Sequence, residues 1–235
     1  MFNTSLTITG QGGDGSVETP VRLLNAAGEV FAEHGYRDAT IREICAKAGA
    51  NVAAVNYHFG GKEQLYVEVL RYADRLANDR NPAIPEGFGE LPPEQRLAVF
   101  VRQFLRRVFD TGRPAWMERL MAREMSEPTE ALAGLMERNI RPRALALQQV
   151  VRELLGLKAD EATIQRAAGS IVGQCLFYHH SRPITGRLMP AVSFDGPGVE
   201  VLTEQITAFT LGGLREIRDS IGRGAGANDT SGGRG

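Results

Sequence analysis

The sequence predicts an all-α protein, with a three-helix N-terminal domain followed by a larger helical C-terminal domain. Three observations predict it. Apolar residues recur at three- and four-residue spacing over most of the chain. Clusters of glycine and proline, as at Asn81–Pro93 and Arg182–Gly198, separate these periodic segments. No segment shows the alternation of a strand, and no internal repeat is visible. With 235 residues, 43% of them hydrophobic, the chain can build one or two cores.

Residues 1–16 are rich in Gly, Thr and Ser and are expected to be a disordered tail. The first helix is expected from Pro20, a residue suited to a helix start, to His34, with Gly35 as its stop. Thr40 is placed to cap the second helix, and Glu43, three residues on, completes a capping box. Ile41, Ile44, Cys45 and Ala48 then mark one apolar face, and Gly49 ends the helix in a left-handed conformation. Asn51 can cap a third helix over Val52–His58, with Val55 and Phe59 turned inward. Two short helices joined by a tight glycine turn form a helix-turn-helix.

The second helix of such a motif lies in the DNA major groove. Here its outward face carries Asn51, Val52, Ala53, Asn56 and Tyr57. Asn pairs bidentately with adenine, and Val or Ala packs on a thymine methyl. Tyr57, His58 and the Thr40 hydroxyl are of the type that contacts phosphate, and Lys62 begins the next helix, where an ammonium and free N–H groups can meet a phosphate together. A solvated helix face normally carries Lys and Glu. Between Asn51 and Gly61 the only ionisable side chains are Tyr57 and His58, which weighs against a generic helical hairpin.

Charge alone would not point to DNA. The net charge is −1, and residues 1–80 hold eight Lys/Arg against ten Asp/Glu. From Arg37 to Lys62 the balance is four against two. Few phosphate contacts predict weak non-specific binding and a modest salt dependence, which a dimer would double.

From Val21 to about Leu76 the chain resembles the tetracycline-repressor (TetR) family of bacterial regulators. The resemblance rests on Leu23-Leu24, Ala26-Ala27, Val30-Phe31, Gly35-Tyr36, Thr40-Ile41, Ile44, Ala48-Gly49, Tyr57-His58-Phe59 and Lys62-Glu63 with Leu65. The family often has a small Ser or Thr and a Lys early in the reading helix, where this chain has Asn51 and Val52. It also has two Tyr around a Tyr-x-Tyr-Phe run, where this chain has Asn56 and His58 with Tyr57 between them. The run from Val52 to Tyr66, with Met121–Pro128 and Gly173–Pro183, is similar to the CecR/CerR-type branch.

The resemblance implies a non-enzymatic transcriptional regulator, most often a repressor. It would bind a near-palindromic operator as a homodimer and be released by a small-molecule effector, with no resident cofactor. It divides the chain into a DNA-binding domain at 17–64 and a ligand-binding and dimerisation domain at 65–221; the low-complexity residues 222–235 are expected to be a disordered tail.

The remaining elements follow from periodicity. A fourth helix runs from Lys62 to about Asn78. Asn81–Pro93, with four prolines and two glycines, reads as a loop. Helices are expected over Glu94–Asp110, Pro114–Ser126, Thr129–Leu155 with a break near Pro142, Asp160–Ser181 and Val199–Ile221. Arg182–Gly198 reads as a loop.

In the family the last two long helices pair across a two-fold axis. Small residues at Ala167, Ala168, Gly169, Gly173, Gly212 and Gly213 would allow that approach. An effector pocket would be drawn from Phe100, Phe104, Trp116, Met117, Leu120, Met121, Met125, Phe177 and Tyr178, since Met and aromatic side chains line adaptable pockets. The same residues equally fit an ordinary core. Arg119, Arg123 and Glu124 could orient a ligand or form surface ion pairs.

Cys175 and His179, four apart with His180 adjacent, have spacing that can bind a metal; the alternative is a core cysteine beside helix-end histidines. No metal site is assigned. There is no Gly-rich phosphate loop, Gly-x-Ser-x-Gly or His-Glu-x-x-His to mark an enzyme. No run is long enough to span a membrane, the N-terminus lacks a signal-peptide pattern, and two distant cysteines suggest no disulfide framework. A cytoplasmic protein is expected.

Overall fold

The computed structural model describes residues 18–229, and every regular element among them is helical. In chain order these are α1 (Glu18–Asp38), α2 (Ile41–Ala48), α3 (Val52–Phe59), α4 (Lys62–Arg80), α5 (Pro93–Val108) and α6 (Ala115–Ser126). They continue with α7 (Glu130–Leu135), α8 (Arg141–Leu155), α9 (Glu161–His180), α10 (Arg182–Leu188) and α11 (Gly196–Asp229). A 3-10 turn at Phe88–Glu90 and a π-helical turn at Met136–Ile140 complete the list of helical elements. Among the described residues no helix is long and apolar enough to cross a membrane.

The chain forms two compact units. The first ends at Ala73 and takes in Pro114–Leu132; the second holds Asp74–Arg113 and the residues from Ala133 onward. This differs from the division expected at residue 64, because α6 joins the first unit. The physical reason is visible in α1. A Cβ on Gly28 would stand 2.5 Å from the Trp116 ring, so the missing side chain is what admits the indole. Tyr72 stacks on the same indole, with ring centroids 6.5 Å apart.

The core of the first unit gathers Leu23, Ala27 and Phe31 of α1, Ile44 of α2, Val55 of α3, and Leu65, Tyr66 and Val69 of α4. Phe31 meets Tyr66 edge to face at 4.7 Å and 89°, a favoured aromatic geometry. Each of these large side chains contributes about 1.5–3 kcal/mol by leaving water. Gly35 adopts φ 79°, ψ 170°, which breaks α1 ahead of Tyr36 where a helix stop is expected.

The second unit is built around Leu97, Val101 and Leu105 of α5, Val150 and Val151 of α8, Ile164, Ile171 and Cys175 of α9, and Leu202 and Ile206 of α11. Pro142 sits in the first turn of α8, directly after the π turn. Proline lacks an N–H and crowds the carbonyl four residues back, so a regular helix cannot run through it undisturbed.

Two segments differ from expectation. Arg182–Leu188 is helical rather than loop, since proline is tolerated in a first turn. The last helix continues to Asp229, because glycine costs a helix only about 1 kcal/mol per residue and does not forbid it. The expected tail at 1–16, and its C-terminal counterpart beyond Asp229, lie outside the described residues.

Candidate nucleic-acid interface

The helix-turn-helix is assembled by local caps. Thr40 Oγ1 accepts from the Glu43 N–H at 3.2 Å, and the Thr40 N–H donates to Glu43 Oε2 at 3.0 Å. The Thr40 hydroxyl proton is itself engaged, donating to the same carboxylate at 2.8 Å. These bonds, the hydroxyl's first, hold the Glu43 carboxyl below its ordinary value. In the free protein Thr40 is therefore a cap, and its hydroxyl must leave Glu43 before it can donate to a phosphate.

Gly49 follows α2 in the left-handed region, at φ 61° and ψ 39°. Its N–H returns to Ala46, and the Ala50 N–H to Cys45 at 2.9 Å, satisfying carbonyls at the helix end. Asn51 Oδ1 then accepts from the Ala54 N–H at 2.8 Å and starts α3. Asn51 thus has its carbonyl oxygen committed to the cap, while no bond occupies its amide nitrogen among the described contacts.

Along α3 only Val55 is buried, with Phe59 half-buried. Asn51, Val52, Ala53, Asn56, Tyr57 and His58 are all exposed, and Tyr57 reaches 85% exposure. The candidate reading residues share one helix and are held by capping at both ends; Gly60 closes the helix at φ 77°. Lys62 has a local role as well. Its Nζ donates to the Arg37 carbonyl at 2.9 Å and lies 5.0 Å from the centre of the Tyr36 ring. An ammonium has three donors, so this contact leaves room for a phosphate.

Arg42, in the first turn of α2 and exposed, is a cation that residue spacing alone did not single out. Its signal was available: it stands two residues after the Thr40 cap, at a helix N-terminus. Lys47, by contrast, pairs with Glu29 at 2.6 Å.

The nine residues named for an effector pocket are divided between the units. Trp116, Met117 and Leu120 are buried in the first unit, Met121 is half-buried there, and Met125 is 68% exposed. Phe100 is buried in the second unit, Phe104 and Tyr178 are half-buried, and Phe177 is 51% exposed. An open cleft of about 340 Å³ in the second unit is lined by none of them. Glu124 departs from the expected surface ion pair: it is 1% exposed and accepts from the Tyr66 hydroxyl and from Thr129. Arg123 donates instead to the Glu33 carbonyl at 3.0 Å.

Cys175 is buried, and burial pushes its thiol up to about 12. His179 packs against Phe109 at 5.9 Å. Among the described residues no three His, Cys, Asp or Glu converge as metal ligands.

Residues 93–214 match the family model described as "HTH-type transcriptional dual regulator CecR, C-terminal domain", and residues 23–69 match "Bacterial regulatory proteins, tetR family". The chain is 25% identical to the HTH-type transcriptional dual regulator CecR of Shigella flexneri, over 88% of this chain and 93% of that one. It is 28% identical to the HTH-type transcriptional regulator BetI of Brucella anthropi, over 63% of this chain and 81% of that one. A TetR-like transcriptional regulator from Rhodococcus sp. RHA1 shares the fold, with a TM-score of 0.56 at 16% identity, covering 86% of this chain and 98% of that one.

Proposed function

The chain belongs to the TetR family of bacterial transcriptional regulators, with a CecR-type C-terminal domain, and from that premise we propose that it is an effector-released repressor acting as a homodimer on a near-palindromic operator. The observation that carries the reading is the exposed, nearly uncharged face of α3, capped by Asn51. Asn51 and Asn56 offer amides to adenine, and Val52 and Ala53 offer apolar contact to thymine methyls. Tyr57, His58, Lys62 and Arg42 take phosphates, and Thr40 joins them when its hydroxyl turns from Glu43.

Dimerisation is supported by two helix faces. On α9, Gly169, Gly173 and Phe177 recur every four residues and are exposed. On α11, Val201, Phe209 and Gly212 fall on one face, with Val201 and Phe209 62% and 74% exposed. Apart from the adjoining residues and the backbone of their own helix, nothing lies within 4 Å of where a Cβ would stand on any of these three glycines or on Gly213. Such faces invite a second copy. Ala167 and Ala168 are buried and serve the core of their own unit.

Two reading helices about 34–36 Å apart would then meet successive major grooves. The effector works by binding the two arrangements of the dimer unequally. A bacterial regulator that reads operators in this way works in the cytoplasm. The test is a band shift with the DNA upstream of its own gene, alongside light scattering. Retardation by two chains per site is expected; a monomer that retards no DNA would refute the reading.

A further inference from the structure

The cleft in the second unit has a chemistry that DNA reading does not use. It is formed by the last turns of α4, the residues just after them, the π turn and the start of α8. Its floor is a charge cluster on one carboxylate. Asp74 accepts hydrogen bonds from Arg107 at 3.3 Å, from Arg143 Nη2 at 3.0 Å and from Asn139 at 2.5 Å, and it forms an ion pair with Arg143 Nη1 at 3.0 Å. Two guanidinium groups thus share one carboxylate.

The cluster is unbalanced towards positive charge. Arg75 and Arg138 are also lining residues and are exposed, while Asp79 is the other lining carboxylate. Four guanidinium groups, counting Arg107, stand against two carboxylates. Burial and then the charge of Arg143 lower Arg107 to about 10, the direction expected where cations crowd. A cationic ligand would meet repulsion here. An anion would be met by the Arg138 guanidinium, whose fork matches a carboxylate with two parallel hydrogen bonds, and by the Arg143 N–H groups not directed at Asp74.

The remaining wall is apolar. Ala83, Ile84 and Pro142 line it, with Ala83 buried and Ile84 41% exposed. The volume lies in the range of small-molecule sites.

We infer that this cleft binds a small organic carboxylate, its acid group on Arg138 and Arg143 and its apolar arm along Ala83, Ile84 and Pro142. The inference deepens the effector-release reading and rests on it for any consequence at DNA.

Calorimetry on the full chain tests it, with hexanoate, decanoate and benzoate as probes. Hexanamide and benzamide serve as neutral counterparts, and inorganic phosphate as an anion without an arm. At least one carboxylate is expected to bind saturably, tenfold or more tighter than its amide and than phosphate. Arg138→Gln, at an exposed position, and Arg143→Lys, which keeps the charge on Asp74, are each expected to weaken it tenfold or more. No saturable carboxylate binding, equal binding of phosphate, or binding unchanged in both variants would overturn the assignment. Operator titrations separate the two levels. A carboxylate that saturates the cleft and leaves operator affinity unchanged upholds the site and contradicts the effector reading. Release of operator by a carboxylate that persists undiminished in both variants contradicts the site and upholds the effector reading.

Discussion

The Tyr66 hydroxyl on α4 donates to the buried carboxylate of Glu124 on α6. Glu124 also accepts from the Thr129 N–H at 3.1 Å and its hydroxyl at 3.0 Å, so the group is satisfied although it is 1% exposed. The bond ties α6 into the same unit as the helix-turn-helix. A hydrogen bond to a charged group contributes about 1.5–3 kcal/mol, and an orphaned partner adds to the cost. Tyr66→Phe is expected to lower unfolding free energy by about that amount, and Glu124→Ala by more, in urea titrations. Stability unchanged by Glu124→Ala would show that the network holds nothing together.

Gly28→Ala tests the seat of Trp116. Alanine normally favours a helix by up to about 1 kcal/mol over glycine. Here the new methyl would meet the indole at 2.5 Å, so a net loss of about 1–3 kcal/mol is expected from overpacking. Trp116 is the sole tryptophan, so its fluorescence reports the change directly. A gain in stability would mean that the ring moves aside freely.

Alkaline pH should weaken the fold. Burial raises Cys175 from 9.0 to about 12, and Tyr66 is raised above its ordinary 10.0 by burial and then by its bond to Glu124. The unfolded chain therefore loses these protons first. Stability is fully present below pH 9 and falls as pH rises past it, by about 1.4 kcal/mol per unit for each group once that group ionises in the unfolded chain. Urea titrations at pH 8, 9 and 10 check this, and Cys175→Ala should flatten the slope between pH 9 and 10. An identical slope in that variant would assign the effect elsewhere.

Much of the reading head was legible because its determinants are local. Thr40, Glu43, Gly49 and Asn51 act within four residues of their partners, and the caps form as spacing predicts. What spacing cannot give is a partner far along the chain. Lys62 meets the Arg37 carbonyl 25 residues away, and Glu124 meets Tyr66 at a separation of 58. Periodicity marks Trp116 as buried without saying against what; the informative residue was Gly28, an apparent blemish in α1. The charged cleft gathers residues from four short segments, none of which carries a motif.

On the proposed DNA face, Asn56→Ala should weaken operator binding about tenfold or more, a bidentate contact being worth about 1–3 kcal/mol, and Tyr57→Ala should weaken it by the loss of a phosphate contact. Both side chains are exposed, so unfolding midpoints should not move. Retained affinity in both variants would displace the reading face from α3.

Arg42→Ala should weaken operator and random DNA alike and reduce the salt slope by about one unit. Lys62→Ala should cost stability as well, because its ammonium also holds the Arg37 carbonyl. Anisotropy titrations from low to moderate salt separate the two, and a slope unchanged by Arg42→Ala would remove it from the phosphate contacts.

The most direct test of the central claim is selection of fragments that the purified protein retains from sheared genomic DNA of its source, followed by sequencing. The account predicts enrichment of a near-palindrome whose half-sites lie about one helical turn apart. No enrichment at low salt would contradict it.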